Sequence, residues 1–363
     1  MAIKFDNSYK KTSDCKYDFI MKPQIKRILR ILFIMASIGS LYFVPWILVK
    51  AWIMPLPDTV QEQVNKAITY GFDGMIVYVD EAGKPPAFYA AGYKNRAEKT
   101  PADPTSLFKI ASISKLYVAV AITKLVHNKR LSLDETLAHY FPELVGKIAY
   151  ADKITLRMMV QHRSGIPNYV DHPHFWDNPS KNNEEALAYA LDMPPTFKPD
   201  TDYGYSNTNY LLLRRLIKKT VGYDDHQYIK EVILTPLGLK NTFGSLNEVH
   251  IGDVMSGYYV GYDDDFKTDN VGMLATAEDV GTFIRALNEG TVFDTGEQEI
   301  YSSIYEYEHT GLVPGYQSIA KYHKDIDTVV IQFTSTTNFD GYNWNLSEIF
   351  YSRVVKIVKK SRY

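Results

Sequence analysis

The sequence predicts an α/β (α+β) fold in which segments near both ends of the chain build one antiparallel sheet, flanked by helices and interrupted by an inserted helical lobe. Strand-like apolar patterns occur early, at residues 74–79 and 87–93, and again late, at 317–322 and 328–333. From about residue 124 to 305 the apolar residues recur mostly with helical spacing. Strands at both ends around a helical middle indicate one sheet with an insertion.

Length and composition narrow the classes of protein. The 363 residues, 45% of them hydrophobic, can bury a large core as one domain of two lobes or as two domains. The net charge of −2 argues against a general nucleic-acid binder. The single cysteine, Cys15, excludes an intramolecular disulfide and a multi-cysteine metal site. The chain also lacks a glycine-rich phosphate loop, and we expect neither a cofactor nor a metal.

The N-terminal region combines basic residues with a long apolar run. Residues 1–30 carry eight Lys or Arg against three Asp, and residues 31–49 carry no charge. A run of about 20 apolar residues can span a bilayer, and the preceding basic residues place that end in the cytoplasm. A cleaved signal peptide and a buried core helix are the alternatives. No clear cleavage site follows the run, however, and the run has no polar face.

We therefore expect a basic cytoplasmic tail at 1–30, a single-pass transmembrane anchor at 31–53, a linker at 54–58 and one folded domain at 59–363. The anchor would hold this domain at the cell membrane, on the outer (periplasmic or extracellular) side.

Local signals place the elements of the folded domain. Thr155 stands near the start of one predicted helix, and the capping-box-like segment 276–279 opens another. A breaker cluster at 164–167 ends the first of these two helices. The predicted helices cover 59–70, 154–162, 183–191, 210–220, 276–287 and 345–360, and a long polar loop covers 168–200.

The segment from Leu107 to Ile122 carries the first chemical signal. It predicts a short approach followed by an apolar helix, with Ser112 near the helix start and Lys115 one turn later on the same face. A serine hydroxyl needs a base within hydrogen-bond reach, and a lysine whose charged form is disfavoured by burial can be one. The helix N-terminus would add backbone N–H groups for an oxyanion. Other Ser-x-x-Lys pairs occur in the chain, so this pattern alone is weak.

Two further short motifs follow in order. Tyr205-Ser206-Asn207 precedes a predicted apolar helix, and His309-Thr310-Gly311 precedes the predicted strand at 317–322. With Ser-x-x-Lys, this order and spacing resembles the penicillin-recognising serine hydrolases, which include class C β-lactamases, DD-peptidases, esterases and D-aminopeptidases. The resemblance covers about residues 58–358 and implies a β-lactamase/transpeptidase-like fold. Outside this constellation, Tyr205 would be an ordinary core tyrosine and Asn207 a helix N-cap.

The resemblance also implies a role for each motif residue. Ser112 would be the acylated nucleophile, and Lys115 would take its proton or hold the base in place. Tyr205 would protonate the leaving group and activate the deacylating water, for which a phenol needs nearby lysine charge. The backbone N–H groups of Ser112 and Leu312 would form the oxyanion hole. The residues expected to contact the substrate are Asn207, His309, Thr310, Gly311 and Leu312.

The third motif departs from that of class C β-lactamases, which usually carry Lys-Thr-Gly. Histidine, with a reference pKa of about 6.5, is mostly neutral at pH 7.5, whereas lysine would offer a permanent cation to a substrate carboxylate. Unless an arginine supplies that charge, we expect weaker and pH-dependent attraction of carboxylates at His309. Penicillins and cephalosporins should then turn over slowly, and esters better.

The predicted activity is that of a membrane-anchored serine hydrolase acting through an acyl-enzyme on D-alanyl amide or ester bonds of the cell envelope, of the DD-carboxypeptidase or D-Ala esterase type. A peptidoglycan peptide or D-alanylated polymer would be its substrate, and β-lactams would be ligands. The alternatives are a class C-like β-lactamase and, in another class, a catalytically inactive envelope-binding or scaffold relative. A metal site at Asp171, His172 and His174 is disfavoured because no second ligand cluster accompanies it.

Overall fold

The computed structural model describes residues 23–176, 180, 182–268 and 272–362. The chain divides into two compact units, with the boundary between Lys50 and Ala51. The second unit contains the sheet and all three motifs. Residues 1–22, which form most of the predicted basic tail, lie outside the described residues.

The strands and helices are as follows in chain order. The strands are β1 Gly74–Glu81, β2 Ala87–Asn95, β3 Thr100–Pro101, β4 Phe108–Lys109, β5 Thr242–Phe243, β6 Tyr258–Tyr259, β7 Leu274–Ala275, β8 His309–Val313, β9 Tyr316–His323, β10 Thr328–Thr334 and β11 Thr336–Thr337. The helices are α1 Pro23–Ser40, α2 Trp46–Ile53, α3 Val60–Ile68, α4 Ser114–His127, α5 Leu137–Tyr140, α6 Leu156–Val160, α7 Asn183–Leu191, α8 Asn207–Val221, α9 Asp225–Ile229, α10 Ala277–Glu289, α11 Glu297–Ser302 and α12 Asn343–Lys360.

One six-stranded antiparallel sheet has the order β3-β2-β1-β10-β9-β8. The early and late strands therefore meet at its centre, where Ile76 of β1 lies opposite Phe333 of β10. This confirms the predicted sheet built from both ends of the chain. The strand β8, which carries the third motif, lies at the sheet edge.

The predicted helices are confirmed, with small shifts at their ends. Thr59 caps α3, because its hydroxyl accepts the Glu62 N–H and the Glu62 carboxylate accepts the Thr59 N–H. Thr276 likewise caps α10 by accepting the Asp279 N–H at 3.2 Å. The lobe also contains β5, β6 and β7, which were not predicted, because a two-residue strand leaves no periodic signal.

The helix α4 passes through the centre of the domain, and this position governs the chemistry of its first turn. Every residue from Lys115 to Leu125 is buried, as expected of a helix that is apolar on nearly all faces. Tyr117 stacks on Phe283 of α10 with ring centroids 3.7 Å apart. Lys115, in the first turn of this helix, is therefore buried in an apolar environment.

The predicted membrane anchor has a more complex structure than one straight helix. In the described part of the chain, no single helix has both the length and the apolar character needed to cross a bilayer. Pro23–Phe43 and Trp46–Ile53 meet the criteria of length and composition only when taken together, and they are bent by 81°.

Candidate active site

Ser112 lies in a short 3-10 turn, Ala111–Ile113, between β4 and α4. The helix α4 begins two residues later, at Ser114, so the predicted position near a helix start is confirmed. Ala111 adopts a left-handed conformation with φ of +49°, which is uncommon for a residue with a Cβ. Ser318 of β9 donates a hydrogen bond of 3.1 Å to the carbonyl of Ile110 and thereby ties this turn to the sheet.

Lys115 is in direct contact with Ser112. Its Nζ lies 2.9 Å from Ser112 Oγ and 2.8 Å from the side-chain oxygen of Asn207. The side chain is only 6% exposed, and Nζ lies 4.9 Å from the ring centroid of Tyr205. Burial, assisted by the positive charge of Arg214, lowers the pKa of Lys115 to about 7. A large fraction of Lys115 is therefore uncharged at neutral pH, as a base toward serine must be.

Tyr205 approaches the same hydroxyl from the second motif. Its OH donates to Ser112 Oγ at 2.8 Å, while the side chain as a whole is 37% exposed. Desolvation raises the pKa of Tyr205 to about 12 and outweighs the opposing hydrogen bond to Ser112. The lysine charge that Tyr205 would need in order to act as a base does not lower its pKa in the resting site, where desolvation dominates. Tyr205 is a proton donor here.

The segment 162–168 holds the second motif in place. The carbonyl of His162 accepts the Gly204 N–H at 2.9 Å, and its Nδ1 accepts the Ser206 N–H at 3.1 Å. The imidazole stacks on Tyr205 with ring centroids 4.4 Å apart. Burial, together with the charges of Lys115 and His309, lowers the pKa of His162 to about 3, so the ring is neutral. Sequence reasoning placed His162 only at the end of the predicted helix 154–162 and assigned it no role.

Asn168 is a second residue that sequence reasoning missed. Its side-chain oxygen accepts the Asn207 Nδ2–H at 3.2 Å and the Asn207 backbone N–H at 3.0 Å. Its own Nδ2 donates to Asp171 at 3.1 Å. The Asn207 amide is thus oriented with its oxygen toward Lys115. Asn168 therefore orients the Asn207 amide, and Asn207 in turn positions Lys115. No local sequence pattern indicates this pairing of two asparagines.

The third motif lies on β8, and this strand passes beside the turn that carries Ser112. A Cβ added to Gly311 would lie 2.5 Å from the Ile110 carbonyl oxygen and 3.0 Å from the Ala111 Cβ. Glycine is therefore required for β8 to approach the turn this closely. Thr310 is half-buried, and Leu312, which follows Gly311 along the strand, is 40% exposed.

His309 is held neutral by its surroundings. Its Nδ1 lies 2.5 Å from the Thr310 carbonyl, so Nδ1 carries the proton, and Nε2, 3.1 Å from the Tyr305 hydroxyl, is the acceptor. Desolvation and the charge of Lys115 lower the pKa of His309 to about 4, although the bond to Thr310 opposes this. The predicted pH dependence of carboxylate attraction between pH 6 and 8 is therefore wrong, because His309 does not titrate in that range.

The residues of the disfavoured metal site have other partners. Asp171 accepts the hydrogen bond from Asn168, and His172 Nε2 lies 3.1 Å from an oxygen of Asp192. Within the described ranges, no group of three or more His, Cys, Asp or Glu side chains is arranged to hold a metal ion.

The predicted site residues fall into two groups. Ser112, Lys115, Tyr205 and Asn207 form one continuous set of hydrogen bonds. His309 lies beside this set, with its ring centroid 6.5 Å from that of Tyr205. The arrangement places a partly neutral amine and a protonated phenol on one serine hydroxyl, as acyl transfer requires.

Comparison with known proteins points in the same direction. A sequence model of the Beta-lactamase family matches residues 56–303, more than half of the chain. Protein flp of Staphylococcus aureus (strain MW2) is 27% identical over 195 residues, covering 52% of this chain and 39% of that protein. A β-lactamase of Pseudomonas fluorescens is 30% identical over 191 residues, covering 52% of this chain and 50% of that protein. The chain thus spans half or less of the length of these two relatives.

The solved D-amino acid amidase from Ochrobactrum anthropi SV3, in complex with L-phenylalanine, superposes with a TM-score of 0.74 at 20% sequence identity. The superposition covers 84% of this chain and 99% of the amidase chain, which establishes the β-lactamase/transpeptidase-like fold. The first two motifs lie inside the segment that the family model matches, and the third lies just beyond it, on the edge strand β8. The chain belongs to the Beta-lactamase family, within the serine penicillin-recognising hydrolases.

Proposed function

We propose that this protein is a membrane-anchored serine hydrolase that acts through an acyl-enzyme on D-alanyl amide or ester bonds of the cell envelope, with a preference for substrates without a carboxylate next to the cleaved bond. One observation carries the proposal: Lys115 Nζ and Tyr205 OH both lie within 3 Å of Ser112 Oγ. Their pKa values are shifted in opposite directions, which is how one site provides both a base and an acid.

In the acylation step, neutral Lys115 takes the Ser112 proton as Oγ attacks the substrate carbonyl. The backbone N–H groups of Ser112 and Leu312 are the proposed donors to the oxyanion. Tyr205 gives its proton to the leaving group as the carbonyl re-forms. The products are an ester on Ser112, a protonated Lys115 and a Tyr205 phenolate next to that new positive charge.

In the deacylation step, the Tyr205 phenolate takes a proton from water, and the resulting hydroxide attacks the ester. Lys115 then returns its proton to Ser112 Oγ as the acyl group leaves as an acid. Both groups regain their resting protonation states, so the cycle balances. A phenolate is stable enough to serve here because protonated Lys115 lies beside it.

Substrate preference follows from His309. A neutral imidazole at this position offers no ion pair to a carboxylate, so carboxylate-bearing β-lactams and peptides lose an attraction that a lysine would supply. The solved amidase is, by its name, an enzyme of D-amino acid amides, which supports amide chemistry on this fold. A class C-like β-lactamase remains the second proposal, favoured by the β-lactamase of P. fluorescens among the relatives.

The nucleophile is tested by covalent labelling. Fluorescent penicillin or a fluorophosphonate should label the wild type at Ser112 and leave Ser112→Ala unlabelled, as resolved by mass spectrometry of the adduct. D-Ala-D-Ala peptides, D-alanyl esters and penicillin should be compared in the same assay to identify which adducts turn over. Equal labelling of Ser112→Ala would remove Ser112 from the mechanism, and an absence of any adduct would favour a non-catalytic relative.

The membrane anchor at 31–53 and the outer location of the folded domain are part of the proposal. Their support is the uncharged run after a basic segment. Protease added to intact spheroplasts should digest the domain. Protection of the domain until the membrane is lysed would reverse the proposed orientation.

A further inference from the structure

Both nitrogens of the His309 ring are bonded inside the protein, and one of these bonds comes from Tyr305. His309 Nδ1 lies 2.5 Å from the Thr310 carbonyl oxygen, so Nδ1 holds the single proton of the neutral ring. Nε2 can then only accept, and the hydroxyl of Tyr305, 3.1 Å away, is its donor. The imidazole therefore has no polar atom left for a substrate.

The Tyr305 ring packs so that its hydroxyl is committed to His309. The two rings lie within 21° of parallel, with their centroids 6.1 Å apart. On its other contact, the Tyr305 ring lies 5.6 Å from the ring of Tyr210. The hydroxyl of Tyr210 donates to the Val160 carbonyl at 3.2 Å, so Tyr210 does not compete for His309 Nε2.

The segment 303–308, which joins α11 to β8, fixes the position of Tyr305. The side chain of Gln161, at the end of α6, donates to the Ser303 carbonyl at 3.0 Å. The side chain of Asn288 of α10 donates to the Tyr307 carbonyl at 3.0 Å. Two helices thus hold the segment on either side of Tyr305, and its phenol approaches His309 from a defined direction.

The charged groups that face His309 favour its neutral form. Lys115 of α4 repels a proton on the ring, and burial acts in the same direction, so the pKa of His309 is lowered. From the second motif and segment 162–168 the ring faces Tyr205 and the neutral His162. The carboxylate of Glu308, the preceding residue, is bonded to Lys321 of β9 at 2.8 Å.

A hydroxyl that donates to Nε2 stabilises the neutral ring further, because protonation of Nε2 would break that hydrogen bond. Loss of the Tyr305 hydroxyl would leave a lone pair on Nε2 that can take a proton. The ring would then carry a positive charge and an N–H donor, which are the two features that recognise a carboxylate.

We propose that Tyr305 is a positioning residue that sets the substrate specificity of the third motif, by holding His309 as a ring with no free polar atom. A carboxylate placed beside this ring would lose water without gaining a partner, whereas an uncharged ester or amide would not. The effect on specificity rests on the proposed function, whereas the bonding of His309 does not.

The bonding is tested by NMR of the full-length chain, labelled with ¹⁵N-histidine and held in detergent or nanodiscs. The signal of His309 is identified by its loss in His309→Gln. In the wild type it should show a proton on Nδ1 and an accepting Nε2, unchanged from pH 5 to 8. In Tyr305→Phe the midpoint of its titration should move about one pH unit higher, as expected for loss of one hydrogen bond to the neutral ring.

Tyr307→Phe is the matched control. Tyr307 lies on the same segment, and its hydroxyl bonds Gln298 instead of His309. The NMR signal of His309 in this variant should match that of the wild type.

The specificity is measured as the ratio of kcat/KM for a D-Ala-D-Ala peptide to kcat/KM for a D-alanyl ester. In the wild type and in Tyr307→Phe this ratio should not change between pH 5 and 8. In Tyr305→Phe it should be about two- to fivefold higher at pH 5 than at pH 8, the value of one partly exposed ion pair. Adding His309→Gln to Tyr305→Phe should abolish this pH dependence, because Tyr305 acts through His309.

Two results would overturn the inference. The first is a wild-type His309 with its proton on Nε2, a measurement that needs no variant and therefore stands even where Tyr305→Phe does not fold. The second is a Tyr305→Phe chain in which either the titration of His309 or the substrate ratio matches the wild type. Labelling of Ser112 by penicillin does not depend on these readouts, so failure of this inference and failure of the proposed hydrolase remain distinguishable.

Discussion

The helical wall of the Ser112 cleft, formed by α4, the start of α8 and segment 162–168, carries buried titratable groups in direct contact. The strand wall, β8, carries a neutral imidazole at His309 and a glycine at the point of closest approach. In the proposed mechanism the first wall provides proton transfer, and the second provides shape and backbone groups. In this mechanism, proton transfer and the recognition of substrate charge therefore lie on separate elements of this domain.

The largest effect should come from the phenol on the helical wall. Tyr205→Phe keeps the ring and its stacking on His162 but removes the hydroxyl that bonds Ser112. Turnover should fall by about 10²–10⁴-fold, as is typical for a general acid–base group. Because deacylation also requires this hydroxyl, an acyl-enzyme should accumulate and be visible by mass spectrometry. Turnover of the variant near the wild-type rate would remove Tyr205 from the mechanism.

A smaller effect is expected from Asn168, which acts on Lys115 through Asn207. Asn168→Ala should reduce kcat by about 10–10²-fold with little change in KM, because the base is displaced and the substrate is not touched. A double variant, Asn168→Asp with Asp171→Asn, exchanges these two side chains. It keeps an acceptor for Asn207 at position 168, and its carboxylate then contacts Asn207 directly, the residue that bonds Lys115.

The double variant should recover most of the activity lost in Asn168→Ala. It should also move the acidic limb of the kcat/KM profile to higher pH, because a nearby negative charge raises the pKa of Lys115. Asp171→Asn alone is the matched control. If the double variant regains activity but its pH profile of kcat/KM does not change, Asn168 has a purely structural role.

The smallest effect belongs to the strand wall. His309→Lys should increase kcat/KM for a carboxylate-bearing substrate relative to a D-alanyl ester by about tenfold, the value of one charge-assisted contact. The measurement is the ratio of the two kcat/KM values in both variants at pH 8. A wild type that already hydrolyses penicillin at about 10⁴–10⁸ M⁻¹s⁻¹, with a ratio unmoved by the substitution, would restore the β-lactamase proposal.

Sequence reasoning could predict features that depend on local periodicity. Serine and lysine three residues apart on a helix must share a face. The strand patterns at 74–79 and 328–333 place both segments in one sheet, although the direct pairing of β1 with β10 is seen only in the structure. The two-lobed α/β fold follows from that spacing. Short motifs in order then locate the site without any knowledge of its geometry.

Features that depend on burial and distant partners could not be predicted. The sequence near His309 does not reveal that Tyr305 and the Thr310 carbonyl fix its tautomer, or that desolvation lowers its pKa to about 4. The same holds for Tyr205, whose pKa rises because the folded environment removes water. Asn168 meets Asn207 across 39 positions of the chain, and no local pattern contains that contact.

The contrast between the two walls is tested most directly by the pH dependence of kcat/KM from pH 5 to 9 for two substrates: a neutral D-alanyl ester and a D-Ala-D-Ala peptide with a free carboxylate. The groups around the reacting hydroxyl are Lys115, with a pKa of about 7, Tyr205, with a pKa of about 12, and the neutral rings of His162 and His309, with pKa values of about 3 and 4. Lys115 must lose its proton to act as the base, so both profiles should rise with pH through a single ionisation near 7. Their ratio should stay constant, because no group on the strand wall titrates in this range. A ratio that falls for the peptide as pH rises through 6 to 7 would show that His309 carries charge and would contradict the account.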